Sequence, residues 1–213
     1  MIRVQDDVGV PGPLIFENGG GFCYDDTSPS GVVPLGTPVD TLEAAIADIT
    51  GRLNLRVRTL LDMTVEEVAE LTGLAPEEAA RSRKREFSLP FVVVDREIDA
   101  VALDQAARER GLRVTQGGRF YHLTGDSDKG EAVRCLRQLM EERTGRRTFA
   151  AGLGDSANDI SLLRAVDWPV RIRNPWSISA LSAEIEWAST PSEPGPAGWR
   201  RAVEQWLREC VAA

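Results

Sequence analysis

From Lys129 to Arg208 the hydrophobic period switches repeatedly between that of a helix and that of a strand, and this alternation constrains the fold more than any other feature. The spacing predicts a helix over 129–143, with Ala132, Val133, Leu136 and Met140 on one face. A strand over 148–153 runs from there into Gly154-Asp155, followed by a helix near 159–165, a strand over 169–172 and a last helix near 198–208. Such an order needs crossover connections and favours a parallel α/β layer.

The middle of the chain is patterned differently. Leu14-Ile15-Phe16 reads as a buried strand end stopped by Asn18 and three glycines. Residues 40–53 carry Leu42, Ala45, Ile46, Ile49 and Leu53 at helical spacing, with Asp40 expected as N-cap and Glu43 completing a capping box. Thr64 and Glu67 repeat that signature. Phe91 to Val94 reads as a strand and 98–110 as a helix closed by Gly111. Strands over 112–115 and 119–123, joined through Gln116-Gly117-Gly118, form a hairpin signal. The expected architecture is an α/β protein with a Rossmann-like parallel-sheet core from 1–24 and 125–213, interrupted by an α+β cap over 25–124. The Gly-, Pro- and Ser-rich stretch 25–38 and Gly125-Asp126-Ser127-Asp128 are the natural crossings.

Composition excludes several function classes. Lys and Arg number 25 against 33 Asp and Glu, a net charge of −8 that argues against a nucleic-acid partner. No apolar run approaches the roughly 20 residues of a membrane helix. The first residues lack the basic-then-apolar layout of a signal peptide, so the expected location is the cytoplasm. The three cysteines, Cys23, Cys135 and Cys210, form no CxxC pair, so neither a zinc site nor a disulfide framework is expected. The single histidine, His122, excludes a multi-histidine metal centre.

Chemistry concentrates in Gly152-Leu153-Gly154-Asp155-Ser156-Ala157-Asn158-Asp159. In an open α/β sheet, ligands bind beyond the carboxyl ends of the strands, where this loop falls. Oxygen-only donors there select a hard cation such as magnesium. A purely structural reading, with Asp155 ending the strand and Asn158 or Asp159 capping the next helix, accounts for one polar residue but not for the string. Lys129, opening a helix whose first amides point outward, is placed to hold a phosphoryl group.

On these residues the sequence resembles the haloacid dehalogenase superfamily of phosphatases, in the branch with an α/β cap between the second and third motifs. Asp128-Lys129-Gly130 looks like the third motif, and Gly154-Asp155-Ser156-x-Asn158-Asp159 like the fourth. Glu17-Asn18-Gly19-Gly20, Arg85-Glu86-Phe87, the Gly117–His122 hairpin and Pro194-Gly195-Pro196-x-Gly198-Trp199 are similar to mannosyl-3-phosphoglycerate phosphatases. The resemblance implies a magnesium-dependent enzyme acting on a small sugar phosphate. It implies that Lys129 binds the phosphoryl group, that Asp155 ligates magnesium, and that Asp159 holds a metal-bound water or the lysine. Asn158 would contact phosphate, and Asn18, Arg85, Arg119 and His122 would face the substrate, an anion that wants arginines. Leu89 stands where many relatives carry an acidic residue.

One part of the pattern is missing. The superfamily's nucleophile lies in an Asp-x-Asp-Gly-Thr motif, and no such string occurs in this sequence. Asp6-Asp7 is the nearest substitute, without the preceding apolar run or the spacing. The expectation is therefore a chain that lacks the first βαβ unit and exposes apolar surface that favours self-association. Three further readings follow: an inactive fragment or sugar-phosphate-binding pseudoenzyme, a phosphatase for the glucosyl compound or another sugar phosphate, and a helix-turn-helix DNA binder. The last rests on residues 63–85 with basic Arg81, Arg83, Lys84 and Arg85, and the charge balance disfavours it. The tryptophans Trp176, Trp187, Trp199 and Trp206 read as packing residues, with Trp199 able to border the cleft.

Overall fold

The computed structural model describes residues 12–24, 31–95, 98–117, 120–174 and 186–211. Asp6, Asp7, Gly118, Arg119 and Trp176 lie outside them. Two compact units divide the chain, Met1–Gly31 with Asp128–Ala213, and Val32–Ser127. Among the described residues no helix is long and apolar enough to cross a membrane.

The second unit opens on the short strand β3 (Val32–Pro34); its β4 (Val57–Thr59), β5 (Ser88–Val93), β6 (Arg113–Gly117) and β7 (Phe120–Thr124) form an antiparallel sheet in the order β4-β5-β7-β6. Helices α1 (Val39–Arg52) and α4 (Ala100–Arg108) cover one face. Leu42, Ile46 and Ile49 of α1 meet Leu89 and Phe91 of β5, Leu103 and Ala107 of α4, and Leu123 of β7. Val92, one residue out of phase with Phe91, packs instead against Leu60, Met63, Val68 and Ala79, the core beneath α2 (Val65–Thr72) and α3 (Pro76–Ser82). Strand alternation thus supplies both layers. Leu89 is fully buried here, a position that would charge heavily for a carboxylate. Pro90 is tolerated in β5 because it faces the frayed end of the edge strand: its carbonyl accepts Leu60 N at 2.7 Å just past the end of β4, and its missing N–H costs one bond at that end.

The capping box at α2 forms as the sequence predicts. Glu67 N donates to Thr64 Oγ1 at 3.2 Å, and Thr64 N donates to the Glu67 carboxylate at 2.8 Å. Arg58 adds a two-pronged pair at 2.9 and 2.8 Å. The Arg58 hydrogen bonds, then the Thr64 amide and the guanidinium charge, hold the Glu67 carboxyl at about 2, against an ordinary 4.5. Because the folded value is depressed, this contribution to stability is present above about 4.5 and is lost as pH falls towards 2. A side-chain NMR titration should put the Glu67 midpoint well below 4; a midpoint near 4.5 would contradict the pairing.

At α1 the expected cap is wrong. The helix starts at Val39 with Pro38 as N-cap, no side chain caps it, and Asp40 lies inside the first turn. The Val39 amide instead donates to Glu86 O at 2.8 Å, so tertiary contact replaces the Asp40–Glu43 box. The helix read over 98–110 is likewise shorter, capped by Asp99, whose carboxylate accepts Val101 N at 2.9 Å. Strand β4 has too few residues to show a period, and the sequence did not betray it.

In the first unit, β1 (Leu14–Phe16) and β2 (Gly21–Cys23) form an antiparallel hairpin, while β8 (Ala151–Gly154) and β9 (Trp168–Arg171) pair in parallel. Its helices are α5 (Lys129–Thr144) before β8, α6 (Ile160–Arg164) in the β8–β9 crossover and α7 (Gly195–Trp206) after β9. β8 begins three residues later than expected because side chains claim the preceding backbone. Thr148 N donates to Glu141, Ala150 N donates to Asp167, and Arg137 binds the Thr148 carbonyl at 2.8 Å. Val170 and Ile172 meet Ala202 of α7 in a small core. Trp187 and Trp199 are half-exposed rather than part of the core.

Candidate active site

Two local devices bring Lys129 and Asp159 together. Asp128 caps α5 by accepting Glu131 N at 2.8 Å, which sets Lys129 at the first helical position. Beyond β8, Gly154 has no side chain to hold Asp159 away: a Cβ there would overlap the Asp159 Cβ. The chain can therefore turn through a 3₁₀ segment, Ala157–Asp159, and fold the carboxylate back over the strand end.

Asp159 is 6% exposed, and four donors occupy it. Lys129 Nζ lies 2.6 Å from Oδ1, while Oδ2 accepts the Asp155 and Ser156 amides at 3.1 Å each and Ser156 Oγ at 2.8 Å. Burial pushes its carboxyl up, but the hydrogen bonds from Lys129 and Ser156, the lysine charge and the Asp155 amide together hold it below the ordinary carboxylate range. The pair is therefore ionised at neutral pH and breaks only as pH falls through that depressed value.

Asp155 follows β8 directly, and its Oδ2 accepts Asn174 Nδ2 at 2.8 Å. Asn174 lies three residues past the end of β9, so residues beyond two parallel strand ends orient one carboxylate; sequence reading passed over Asn174, although the strand-end rule points to that region. Lys129, Asp155, Ser156 and Asp159 line a cleft of about 560 Å³ with Ile172 and Trp199 on its apolar side. Beyond Asp155 and Asp159, no carboxylate lines it among the described residues.

The donors fit magnesium in a particular way. The described residues hold no group of three or more His, Cys, Asp or Glu able to bind a metal. Magnesium, however, keeps several waters and commonly takes only one or two carboxylates. Asp155, on the cleft wall beside Lys129, is placed for that task. Asp159, with its lone pairs given to four hydrogen bonds, is placed to position Lys129.

Other expected site residues are more scattered. Asn158 is exposed, with its side chain beside Ser156 Oγ. Asn18 lies in the 3₁₀ segment Glu17–Gly19 with φ 57°. That segment abuts the start of α5: a Cβ on Gly19 would overlap the Asp128 carbonyl and lie 2.8 Å from Lys129 N. In the other unit, Arg85 Nε donates to Ser82 O at 2.7 Å, and His122, half-buried on β7, pairs in register with Pro90 and Thr115. Of the basic run, Arg83 donates to Leu61 O at 3.0 Å and so is tied to its own unit.

No family model matches the chain. A glucosyl-3-phosphoglycerate/mannosyl-3-phosphoglycerate phosphatase of Persephonella marina is 32% identical over 223 residues, covering 97% of this chain and 80% of its own length. One of the same name from Methanococcoides burtonii is 29% identical over 213 residues, with 93% and 77% covered. Among solved structures, a subclass IIB sugar phosphatase of the haloacid dehalogenase superfamily superposes with a TM-score of 0.60 at 13% identity, covering 100% of this chain and 80% of that one. A phosphatase of the same superfamily from Bacteroides thetaiotaomicron gives 0.61 at 17% identity, covering 96% and 77%.

Proposed function

The chain belongs to the glucosyl-3-phosphoglycerate/mannosyl-3-phosphoglycerate phosphatases of the haloacid dehalogenase superfamily, and from that membership we propose that it hydrolyses mannosyl-3-phosphoglycerate to mannosylglycerate and phosphate. The glucosyl compound is the second substrate of the same site. The observation that carries the reading is the Lys129–Asp159 pair at 2.6 Å in one cleft with Asp155. A phosphate monoester brings two negative charges, and the cleft offers a fixed ammonium and a carboxylate suited to a hard cation.

Each residue has a role in this reading, which assigns the phosphate- and metal-binding groups; the attacking carboxylate is not among them, because the sequence has no Asp-x-Asp-Gly-Thr string. Lys129 binds a phosphoryl oxygen, and Asp159 fixes its ammonium so that no reorganisation accompanies the reaction. Asp155 holds magnesium, with Asn174 setting the carboxylate plane. When bound there, magnesium would neutralise charge that develops on the phosphoryl oxygens. Asn158 contacts phosphate from the adjacent turn. Arg85, Arg119 and His122 of the cap serve the glycerate and the sugar, and Asn18 the entry beside Lys129.

Asp155→Ala tests the assignment. It is expected to reduce magnesium-dependent phosphate release from mannosyl-3-phosphoglycerate by at least about 100-fold and to abolish magnesium uptake in calorimetry. Magnesium dependence and affinity equal to those of the unaltered chain would contradict it.

A further inference from the structure

The cleft has an apolar side that phosphate chemistry does not use. Trp199 is 53% exposed, and it lines the cleft with Pro196 and Ile172, on the same cavity as Lys129 and Asp155. Packing does not ask for an aromatic ring there. Helix α7 buries Gly198 and Ala202, four residues apart on one stripe, Ala202 against Val170 and Ile172 and Gly198 against the Glu193 carbonyl. Trp199 lies about 100° further round the helix, outside that stripe.

The ring is nevertheless carried on a rigid mount. Gly195 N donates to Arg173 O at 3.0 Å, and Arg173 Nη1 donates to Ser192 O at 3.0 Å. Arg201 clasps Glu193 at 2.6 Å. Gly198 presses so closely on the Glu193 carbonyl that a Cβ would overlap it. The loop before α7 is thereby tied to Arg173, whose neighbour Asn174 orients Asp155. Metal ligand and tryptophan are fixed to the same strand end.

We infer that Trp199 is a specificity-determining residue, a rigid aromatic wall that packs against the C–H face of the substrate's sugar ring while the phosphate end is held at Lys129 and Asp155. This rests on the phosphatase reading given above. Ligand sites pair an apolar lining with a few convergent polar groups, and a preordered ring gives contact area at little entropic cost. A glycosylated phosphoglycerate has both ends such a cleft needs. Free phosphate or 3-phosphoglycerate has no ring to offer Trp199.

Calorimetry on the full chain with magnesium separates these ligands. Trp199→Ala should weaken binding of mannosyl-3-phosphoglycerate about tenfold while leaving 3-phosphoglycerate and inorganic phosphate within about twofold. Trp199→Phe should retain most of the affinity for the glycosyl ester. Equal weakening for all three ligands, or no change for the glycosyl ester, overturns the inference while leaving the phosphatase reading intact. If the unaltered chain takes up none of the three, the phosphatase reading fails, and the inference with it.

Discussion

Lys129→Ala is expected to lower kcat for phosphate release at least about 1000-fold, the scale on which loss of a preorganised charge at a reacting oxygen is felt. The side chain is 27% exposed and its partner 9%, so solvent cannot readily replace the ammonium. The same variant exposes the logic of the pair. Asp159 would keep the Asp155 and Ser156 donors but lose its cation, so burial would dominate and its carboxyl should titrate higher than in the unaltered chain. A stability loss of about 1–3 kcal/mol should accompany this, from a carboxylate left without its charged partner. Lys129→Arg should recover only part of the rate, because a planar guanidinium does not reproduce a point charge held end-on at 2.6 Å. Phosphate release within tenfold of normal in the alanine variant would remove Lys129 from the site.

Gly130→Ala should destabilise the first unit against the expectation from helix propensity. Alanine is the better helix former by about 1 kcal/mol, so propensity alone predicts a gain. Packing opposes it: a Cβ at Gly130 would overlap the Ser161 carbonyl and lie 3.1 Å from the Ser161 Cβ. Backbone atoms cannot swing aside, so α5 and α6 must separate, and overpacking of this kind costs up to about 3 kcal/mol. The expected outcome is a net loss of about 2 kcal/mol, a fall in Tm of roughly 5 °C. Since α6 follows Asp159 directly, the separation should also lengthen the Lys129–Asp159 contact and depress kcat. A thermal scan showing a raised Tm would mean that helix propensity, not the α5–α6 contact, decides at this position.

The parallel pair β8–β9, its flanking helices and the β6–β7 hairpin were legible because each carries its own period and its own turn residues. The same was true of Lys129, Asp155 and Asp159, which fall in two short strings with chemistry in every position. What could not be read depended on partners far away in sequence. The start of α1 is set by the Glu86 carbonyl, 47 residues beyond Val39, so Asp40 and Glu43 gave a persuasive but false cap. β4 is three residues long and exists only because β5 pairs with it. Trp199 read as a packing residue able to border the cleft; it does line the cleft, and its exposure follows from the register of α7, in which Ala202 packs on β9 and Gly198 on the Glu193 carbonyl. Asn174 stands just past a strand end, where ligand-site residues are expected, but its partner Asp155 lies 19 residues earlier and local pattern does not pair them.

The account stands most directly on whether this 213-residue chain releases phosphate from mannosyl-3-phosphoglycerate in a metal-dependent way. Release should proceed with magnesium, stop on addition of a chelator, and resume when magnesium is restored in excess, with the glucosyl ester following the same pattern. Release that ignores the chelator, or no release from either ester with magnesium present, would contradict the assignment of the Lys129–Asp155–Asp159 cleft as a working phosphatase site.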